Sequence, residues 1–365
     1  ETVITKNIGL DLGFLNNRLN VSFDAYIRDT KDMLMAGKTL PGVYGASSPR
    51  MNVADLRTKG WEASITWGDS FTLASKPFNY RIMAGIGDNT SKVTKYDNPN
   101  RTLTDPYEGQ QLGEIWGYVV DGYFKTDEEA RNYKVDQSFV NQMINASALD
   151  NGLHAGDLKF VDLDGNNKIE QTTSANDRKD MKVIGNSLPR YNYNFGISAD
   201  WYGIDFSVLF QGIGKQNWYP GAETSMFWGP YSRPYASFIP SDFMSQVWSE
   251  ENTDAYFPRP RGYVALGSNR ELAVVNTKYL QNLAYCRLKN LSIGYTLPDK
   301  WLSKIGFEKI RVYFSSENLL TFTKLHSDYI DPEQASASNS WKTSKSDANI
   351  YPWAKTYSFG VDITF

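Results

Sequence analysis

The final segment of the chain alternates between apolar and polar residues up to its last position. The apolar positions of this alternation are Tyr357, Phe359, Val361, Ile363 and Phe365. Successive side chains of a β-strand point to opposite faces, so a strand formed here has one apolar face and one polar face. The chain is therefore predicted to end in a β-sheet whose two faces meet different surroundings.

The same period of two recurs in eight earlier segments, which set apolar residues opposite asparagine, serine, glycine or aspartate. The nine candidate strands lie at approximately 6–14, 19–28, 61–67, 78–86, 191–201, 204–210, 291–297, 310–314 and 357–365. The sequence contains no run of about 18 apolar residues, so it predicts no transmembrane helix. A strand of a membrane barrel needs only about 9–11 residues, and such strands escape an average of hydropathy.

Connections between the candidate strands alternate between short and long. Short turns occur at 16–17 and 202–203, whereas the long connections are predicted as extracellular loops at approximately 29–59, 88–190, 214–282 and 323–355. Outer-membrane barrels have short periplasmic turns and long extracellular loops. Aromatic residues make up 14% of the chain, enough to supply the aromatic girdles that such barrels carry at the membrane interfaces.

These patterns predict an all-β fold, namely about nine strands of a transmembrane antiparallel β-barrel in a Gram-negative outer membrane. Bacterial barrels have even strand numbers, and an open sheet edge in lipid leaves backbone groups unsatisfied. We therefore expect the remaining strands to come from another part of the same protein or from a second chain. The alternative is a secreted or surface carbohydrate-binding or adhesin β domain, whose apolar face would point into a core.

Charge and residue chemistry argue against several classes of function. A net charge of −3 offers no electrostatic basis for binding nucleic acid. His154 and His326 are the only histidines, and neither belongs to a metalloprotease motif or a nucleophile elbow. We therefore expect a protein that is not an enzyme and that requires no cofactor.

Six sequence blocks follow one another along the chain. They are 7–34 (ending RDTKDML), 52–61 (beginning with Asn52 and ending KGW, with Glu62 next), 108–124 (EGQQLGEIWGYVVDGYF), 156–189 (beginning GDLKFVDLDGNNKIE), 279–298 (YLQNLAYCRLKNLSIGYTLP) and 311–323 (RVYFSSENLLTFT). In this order they resemble the C-terminal part of the SusC/RagA-type TonB-linked (TonB-dependent) outer-membrane transporters. The resemblance covers essentially the whole chain.

That resemblance implies a barrel of about 22 strands with an N-terminal plug domain, which is absent from this chain. It also implies import of a nutrient, an oligosaccharide or oligopeptide, as the SusC-like barrel of a SusCD-type complex. The implied partners are a SusD-like surface lipoprotein, the remaining barrel and plug, the TonB complex acting through the missing N-terminal region, and outer-membrane lipid. The terminal strand, with the alternating residues Tyr357 to Phe365, resembles the C-terminal signal that the barrel-assembly machinery reads.

An acidic loop is the clearest candidate for a metal site. Asp162, Asp164 and Asn166 occupy positions 1, 3 and 5 of an EF-hand-like loop, and the carbonyl of Lys168 follows at position 7. The glutamate expected at position 12 is missing, so Asp177 is predicted as the further ligand. Oxygen ligands in this spacing suit a structural calcium ion. The alternative is an acidic turn that orders a surface loop without a metal.

Aromatic residues in the third long connection are candidates for ligand binding, because exposed flat rings stack on sugars or hold peptide side chains. These residues are Trp218, Tyr219, Phe227, Trp228 and Tyr231. The alternative is that the rings pack against one another inside a large ordered loop.

Overall fold

The computed structural model describes residues 1–37, 42–47, 49–141, 152–232, 239–260, 266–267, 270–302, 306–335, 345–346 and 351–365. In chain order, the strands of these ranges are β1 (Thr2–Phe14), β2 (Leu19–Ala36), β3 (Arg50–Leu73), β4 (Lys76–Lys95), β5 (Glu114–Tyr118), β6 (Val120–Tyr123), β7 (Leu158–Phe160), β8 (Met181–Asn186), β9 (Arg190–Trp201), β10 (Ile204–Lys215), β11 (Asn217–Pro220), β12 (Gln281–Asn282), β13 (Tyr285–Thr296), β14 (Lys309–Thr323), β15 (Lys345–Ser346) and β16 (Thr356–Thr364).

Helices are few and short. They are α1 (Asp127–Asn132), α2 (Ser225–Trp228) and α3 (Asp299–Leu302), with single 3-10 turns at Gly42–Tyr44, Gly229–Tyr231 and Phe243–Gln246. None of the helices in the described ranges is long and apolar enough to span a membrane.

Nine of the strands form one large antiparallel sheet in the order β1-β2-β3-β4-β9-β10-β13-β14-β16. Each of these nine strands overlaps one of the nine candidate strands of the sequence, and only Leu297 and Phe365 lie one position beyond an observed strand, so that prediction is confirmed. The observed strands are longer at the end of the sheet that faces the long connections: β2 continues to Ala36 and β3 begins at Arg50. The backbone ladder continues there although the apolar alternation has stopped, because hydrogen-bonded pairing does not require an apolar face.

The pairing register collects the apolar residues on one face of the sheet. Leu10 lies opposite Phe23, Phe23 opposite Ala63, and Ala63 opposite Ile86. Directly opposite residues of antiparallel strands share a face, so the whole row is apolar. We call this the apolar face. It is not covered by another layer: Ile8 is 74% exposed and Phe359 is 84% exposed.

The other face, which we call the polar face, carries glycines where large side chains cross neighbouring strands. A Cβ atom on Gly60 would lie 2.4 Å from the ring of Tyr26, and one on Gly360 would lie 2.3 Å from the ring of Tyr313. Such approaches are sterically forbidden for any larger residue. These glycines therefore allow the two tyrosine rings to lie flat against the sheet.

The main buried core lies in the long connections, and the large sheet adds a few buried apolar residues such as Val93 and Leu288. We call the described parts of 96–189, 216–284 and 324–355 the loop layer. Its core is almost entirely aromatic and aliphatic, and Trp218, Trp228 and Tyr279 are each 0% exposed. Residues that are far apart in sequence meet here: the hydroxyl groups of Tyr123 and Tyr279 lie 2.8 Å apart. The long connections thus fold together as a unit at one end of the sheet.

Candidate functional site

The polar face of β2, β3, β4 and β9 forms a shallow groove of about 360 Å³. Its lining is dominated by small polar and acidic side chains: Ser22, Asp24, Tyr26, Glu62, Ser64, Asn89, Asn192 and Asn194. We call these eight residues the polar wall. The strand alternation places them together, because every second residue of each strand projects from the same face.

Two glycines of β4 let neighbouring side chains of the polar wall lie close over this strand. A Cβ atom on Gly85 would lie 3.2 Å from the amide nitrogen of Asn194, and one on Gly87 would lie 3.2 Å from Cγ of Glu62. Asp24 accepts a hydrogen bond of 3.1 Å from the Asn7 side chain, and no such side-chain bond is recorded for Glu62 within the described ranges. The wall therefore offers hydroxyl, amide and carboxylate groups to a hydrated solute.

The five candidate ligand-binding aromatics lie inside the loop layer. Trp218, Tyr219 and Trp228 are 0% exposed, Tyr231 is 2% exposed and Phe227 is 3% exposed. The expectation that these rings are exposed is wrong, and the alternative of packing within the loop layer is what the structure shows. Their polar atoms are satisfied internally as well. The Trp228 indole donates to the Gly221 carbonyl at 3.0 Å, and the Tyr219 hydroxyl donates to the Leu272 carbonyl at 2.8 Å.

The acidic loop is closed by hydrogen bonds from its own backbone. Asp162 accepts bonds of 2.7 Å from the amides of Gly165 and Asn167, and Asn166 accepts one of 2.8 Å from the amide of Lys168. Asn167 has a φ of 63°, the left-handed conformation that asparagine tolerates better than most residues. The predicted turn thus forms, with its carboxylates on the concave side.

Asp180, and not the predicted Asp177, brings the third carboxylate to this loop. Oxygen atoms of Asp162, Asp164 and Asp180 all lie within 4.8 Å of one another. Asp180 is 0% exposed, and it accepts the backbone amides of Leu163 and Glu170 at 2.9 and 2.7 Å. Asp177 instead turns back on the chain, its amide bonded to the Ser174 carbonyl. The spacing of the motif could not reveal Asp180, because this residue comes directly before β8 and reaches the loop only through the folding of the chain.

Burial raises the pKa of Asp180, and the nearby carboxylates of Asp164 and Asp162 raise it further. Each carboxylate has about four lone-pair positions, so two amide bonds leave Asp180 able to accept a cation as well. Three converging carboxylates of hard oxygen atoms fit calcium in donor type and in charge. The predicted set Asp162, Asp164, Asn166 and Lys168 lies in this one loop.

A buried ionic network joins the sheet to the loop layer. Arg287, on β13, has a side chain that is only 2% exposed, and it contacts Asp331 at 2.7 Å and Glu333 at 2.6 Å. Its Nε atom also donates to the Thr321 hydroxyl at 3.0 Å, and Lys289 contacts Glu333 at 2.8 Å. Nothing in the local sequence pattern links these residues, which lie up to 46 positions apart. The network anchors the last long connection on the sheet.

The terminal strand β16 forms an edge of the sheet and pairs with β14. Its alternating side chains are exposed, from 47% for Ile363 to 84% for Phe359. The arrangement presents a continuous apolar stripe. The role of this stripe as a barrel-assembly signal stays a prediction.

Curated relatives align with the chain over its whole length. A "TonB-dependent receptor P3" from Formosa agariphila is 28% identical over 384 residues, covering 100% of this chain and 34% of the relative. The "TonB-dependent receptor SusC" from Bacteroides thetaiotaomicron is 23% identical over 367 residues, covering 100% of this chain and 32% of the relative. The chain is related to the TonB-dependent receptors. It spans about a third of the length of the curated relatives it matches. No protein-family model matches it.

Solved structures show the same fold. The RagAB peptide importer in its open-open state matches with a TM-score of 0.67 at 21% identity, covering 99% of this chain and 34% of that chain. The RagAB peptide transporter matches with a TM-score of 0.67 at 22% identity, covering 100% of this chain and 35% of that chain. The predicted resemblance to SusC/RagA-type TonB-dependent receptors is confirmed, as are the transmembrane β-barrel fold and the location in the outer membrane. The apolar face of the large sheet is accordingly its lipid-facing side.

Proposed function

We propose that the full-length protein imports a nutrient across the outer membrane in a TonB-dependent manner. The observation that carries this proposal is the alignment of the whole chain with TonB-dependent receptors, including SusC. In the proposed complex this segment supplies barrel wall, lumen lining and extracellular loops. The role proposed for this segment is in transport.

The partners follow from the same proposal. One of the related proteins is SusC, and one solved structure with the same fold is the RagAB peptide importer. We propose that this protein likewise works with a SusD-like surface lipoprotein and with the TonB complex, and that its substrate is an oligosaccharide or an oligopeptide. The polar wall supports such a substrate, because its hydroxyl and amide groups can replace water around a polar solute.

Filling the polar wall is expected to block transport. In the full-length protein, Ser64→Trp places a large ring on the polar face, whereas Ile65→Trp places the same ring on the lipid-facing side, where Ile65 is already 45% exposed. We expect Ser64→Trp to lower growth severalfold on whichever glycan or peptide mixture a deletion strain fails to use. Ile65→Trp is expected to grow like the wild type at an equal surface level.

Equal growth of both variants would show that solutes do not pass along the polar wall. Growth of the deletion strain on every glycan and peptide mixture would contradict nutrient import itself. A tag in the exposed part of the loop layer gives a second readout, since a surface lipoprotein should co-purify with the full-length protein from native membranes.

We also propose that the acidic loop binds a structural calcium ion through Asp162, Asp164 and Asp180, with Asn166 and the Lys168 carbonyl completing the loop ligands. The support is the convergence of three carboxylates, one of them fully buried. A divalent cation would relieve the mutual repulsion that contributes to the raised pKa of Asp180. The role of the ion would be to order the loop layer.

Calcium is expected to protect the loop layer of the full-length protein from proteolysis. In the Asp180→Asn variant, we expect the calcium concentration that gives half of this protection to rise about tenfold or more. Protons and calcium compete for the ligands, so the apparent affinity should fall as the pH falls through the raised pKa of Asp180. Asp254→Asn is the matched control, because Asp254 is 88% exposed in a different connection. If the wild-type loop layer is cleaved at the same rate in calcium as in a chelator, the site is excluded.

A further inference from the structure

Cationic side chains gather on the lipid-facing side of the sheet at the end nearest the long connections. Along β3, Arg57 and Lys59 follow the same alternation as Trp61, and along β4 Lys92 follows Ile86. Lys92 lies directly opposite Arg57, and Lys59 lies diagonal to Lys92, about 7–8 Å away. Lys6 of β1 lies in the same row as Lys59, separated from it by Ile27 of β2.

The spacing of charges along β3 places Lys59 at the level of lipid headgroups. Between Asp69 and Lys59, the outward-facing residues of β3 are Trp67, Ile65, Ala63 and Trp61, none of which carries a charge. Ten residues of strand extend about 34 Å, and a tilt of about 40° reduces this to about 26 Å across the membrane. The apolar band of outer-membrane barrels is about 25 Å tall. Asp69 and Lys59 therefore mark the two borders of the band.

Several of the cations at the upper border already have anionic partners. Arg57 forms bonds of 2.6 and 3.0 Å with Asp29, Lys31 contacts Asp55 at 2.9 Å, and Arg190 pairs with Asp88. The carboxylates of Asp29, Asp55 and Asp88 are thus each paired with a cation other than Lys59 or Lys92. Like charges directly opposite each other in a sheet are unfavourable. Asp29 compensates the charge of Arg57, and the positive charge of Lys92 directly opposite Arg57 stays uncompensated by these pairs.

Lys59 and Lys92 are exposed, and across the described part of the chain neither side chain has a hydrogen bond or an ion pair. An exposed lysine in water would need no partner, but these two project from the side of a barrel into the layer of lipid headgroups. An anion fixed in that layer is the complementary group.

A depression with an apolar floor lies directly beside Lys59. Its apolar part is lined by Phe23, Ala25, Gly60 and Trp61, and its polar part by Lys59, Thr90 and the ion pair of Arg190 with Asp88. The small side chain of Ala25 next to the large ring of Trp61 creates the hollow. A ligand that fits both parts has an anionic head for the polar part and a hydrocarbon body for the apolar part.

We propose that this surface, formed by Lys59, Lys92, Arg190 and the Trp61 hollow, binds the phosphate-bearing glycolipid of the outer leaflet. The phosphate lies between Lys59 and Lys92, and Arg190 stays paired with Asp88 while it borders the hollow. An acyl chain or sugar packs on Trp61. The position at the upper border of the apolar band favours a membrane lipid over a soluble anion, because only a lipid presents phosphate at this height on a lipid-facing side.

Binding is tested by native mass spectrometry of the full-length protein in detergent, titrated with diphosphorylated lipid A and, separately, with the same lipid after removal of both phosphates. Each cation near a charged lipid surface contributes about a fivefold change in binding, so Lys59→Gln with Lys92→Gln should weaken binding of the phosphorylated lipid about 25-fold. The dephosphorylated lipid should bind weakly to both proteins. Lys59→Arg with Lys92→Arg should restore binding.

The matched control is Lys182→Gln with Lys324→Gln, which removes two exposed lysines from the loop layer. A heat-dependent shift on a denaturing gel confirms that each barrel is folded. The proposal is overturned if the Lys59 and Lys92 variant binds like the wild type, if the control weakens binding equally, or if removing the phosphates changes nothing. Loss of a co-purifying protein from the Lys59 and Lys92 variant, with lipid binding unaltered, would assign the surface to a protein instead.

Discussion

Replacing Arg287 by alanine is expected to lower the free energy of opening of the segment 325–335 by about 3–5 kcal/mol. Asp331, which is 7% exposed, would lose its cation while its carboxylate stayed buried. Glu333 would keep only Lys289. A buried charge without a partner is far more costly than the loss of a surface ion pair. Hydrogen exchange of the amides in this segment, measured on the full-length protein, gives the change.

Two further variants separate charge burial from other effects. Arg18→Ala removes a partner of Asp69, but the Arg18 side chain is 54% exposed, and we expect a change of about 0–1 kcal/mol. Combining Arg287→Met with Asp331→Asn and Glu333→Gln removes the charges together and should cost less than Arg287→Ala alone. If Arg287→Ala costs no more than Arg18→Ala, the network does not anchor the last long connection.

Trp228→Ala is expected to cost the loop layer about 3–5 kcal/mol, because the indole is 0% exposed and its removal leaves a cavity. Its ring centroid lies 4.7 Å from that of Phe227 and 5.1 Å from that of Tyr279. The bond to the Gly221 carbonyl would be lost too. Protease cleavage within 216–284 should become much faster.

The barrel is expected to stay folded in this variant. The strands of the large sheet pair with one another, and the core of the loop layer draws its buried residues from the connections. Trp301→Ala is the control, since Trp301 is 59% exposed and should tolerate the change. Simultaneous loss of the loop layer and of the heat-dependent gel shift would mean that loop layer and barrel form one cooperative unit.

The strands were predictable because each one is amphipathic by itself. Residues such as Ile8 and Leu10 alternate with Asn7 and Gly9 whatever the neighbouring strand is, so the period of two is present in the sequence. The upper parts of β2 and β3 were missed for the same reason. The first outward positions of this upper part, such as Asp29 and Arg57, are charged, and register shifts near Met33 then break the period of two while pairing continues.

The metal and aromatic sites were predicted only in part. The turn from Asp162 to Lys168 is local, and its spacing predicted its shape. Asp180 reaches the loop from a later segment, through contacts that no fixed spacing encodes. The aromatic residues around Trp218 were visible as a cluster, but a cluster of rings in a sequence suits a binding surface and a packed core equally well.

By itself, therefore, the sequence determined the class of fold, the nine strands that form the large sheet in the described ranges, and the side of each of these strands that meets lipid. These properties depend on which residues are neighbours along the chain, and a strand in a bilayer must keep one face apolar over its whole span. Only the tertiary structure decided that Trp228 is buried, that Asp180 joins the acidic loop and that Arg287 holds Asp331. Those outcomes depend on chain segments that are distant in sequence and are brought together by packing in the loop layer. The terminal strand shows the boundary between the two: its apolar stripe from Tyr357 to Phe365 was evident at once, whereas its place beside β14 at the edge of the sheet was set by pairing.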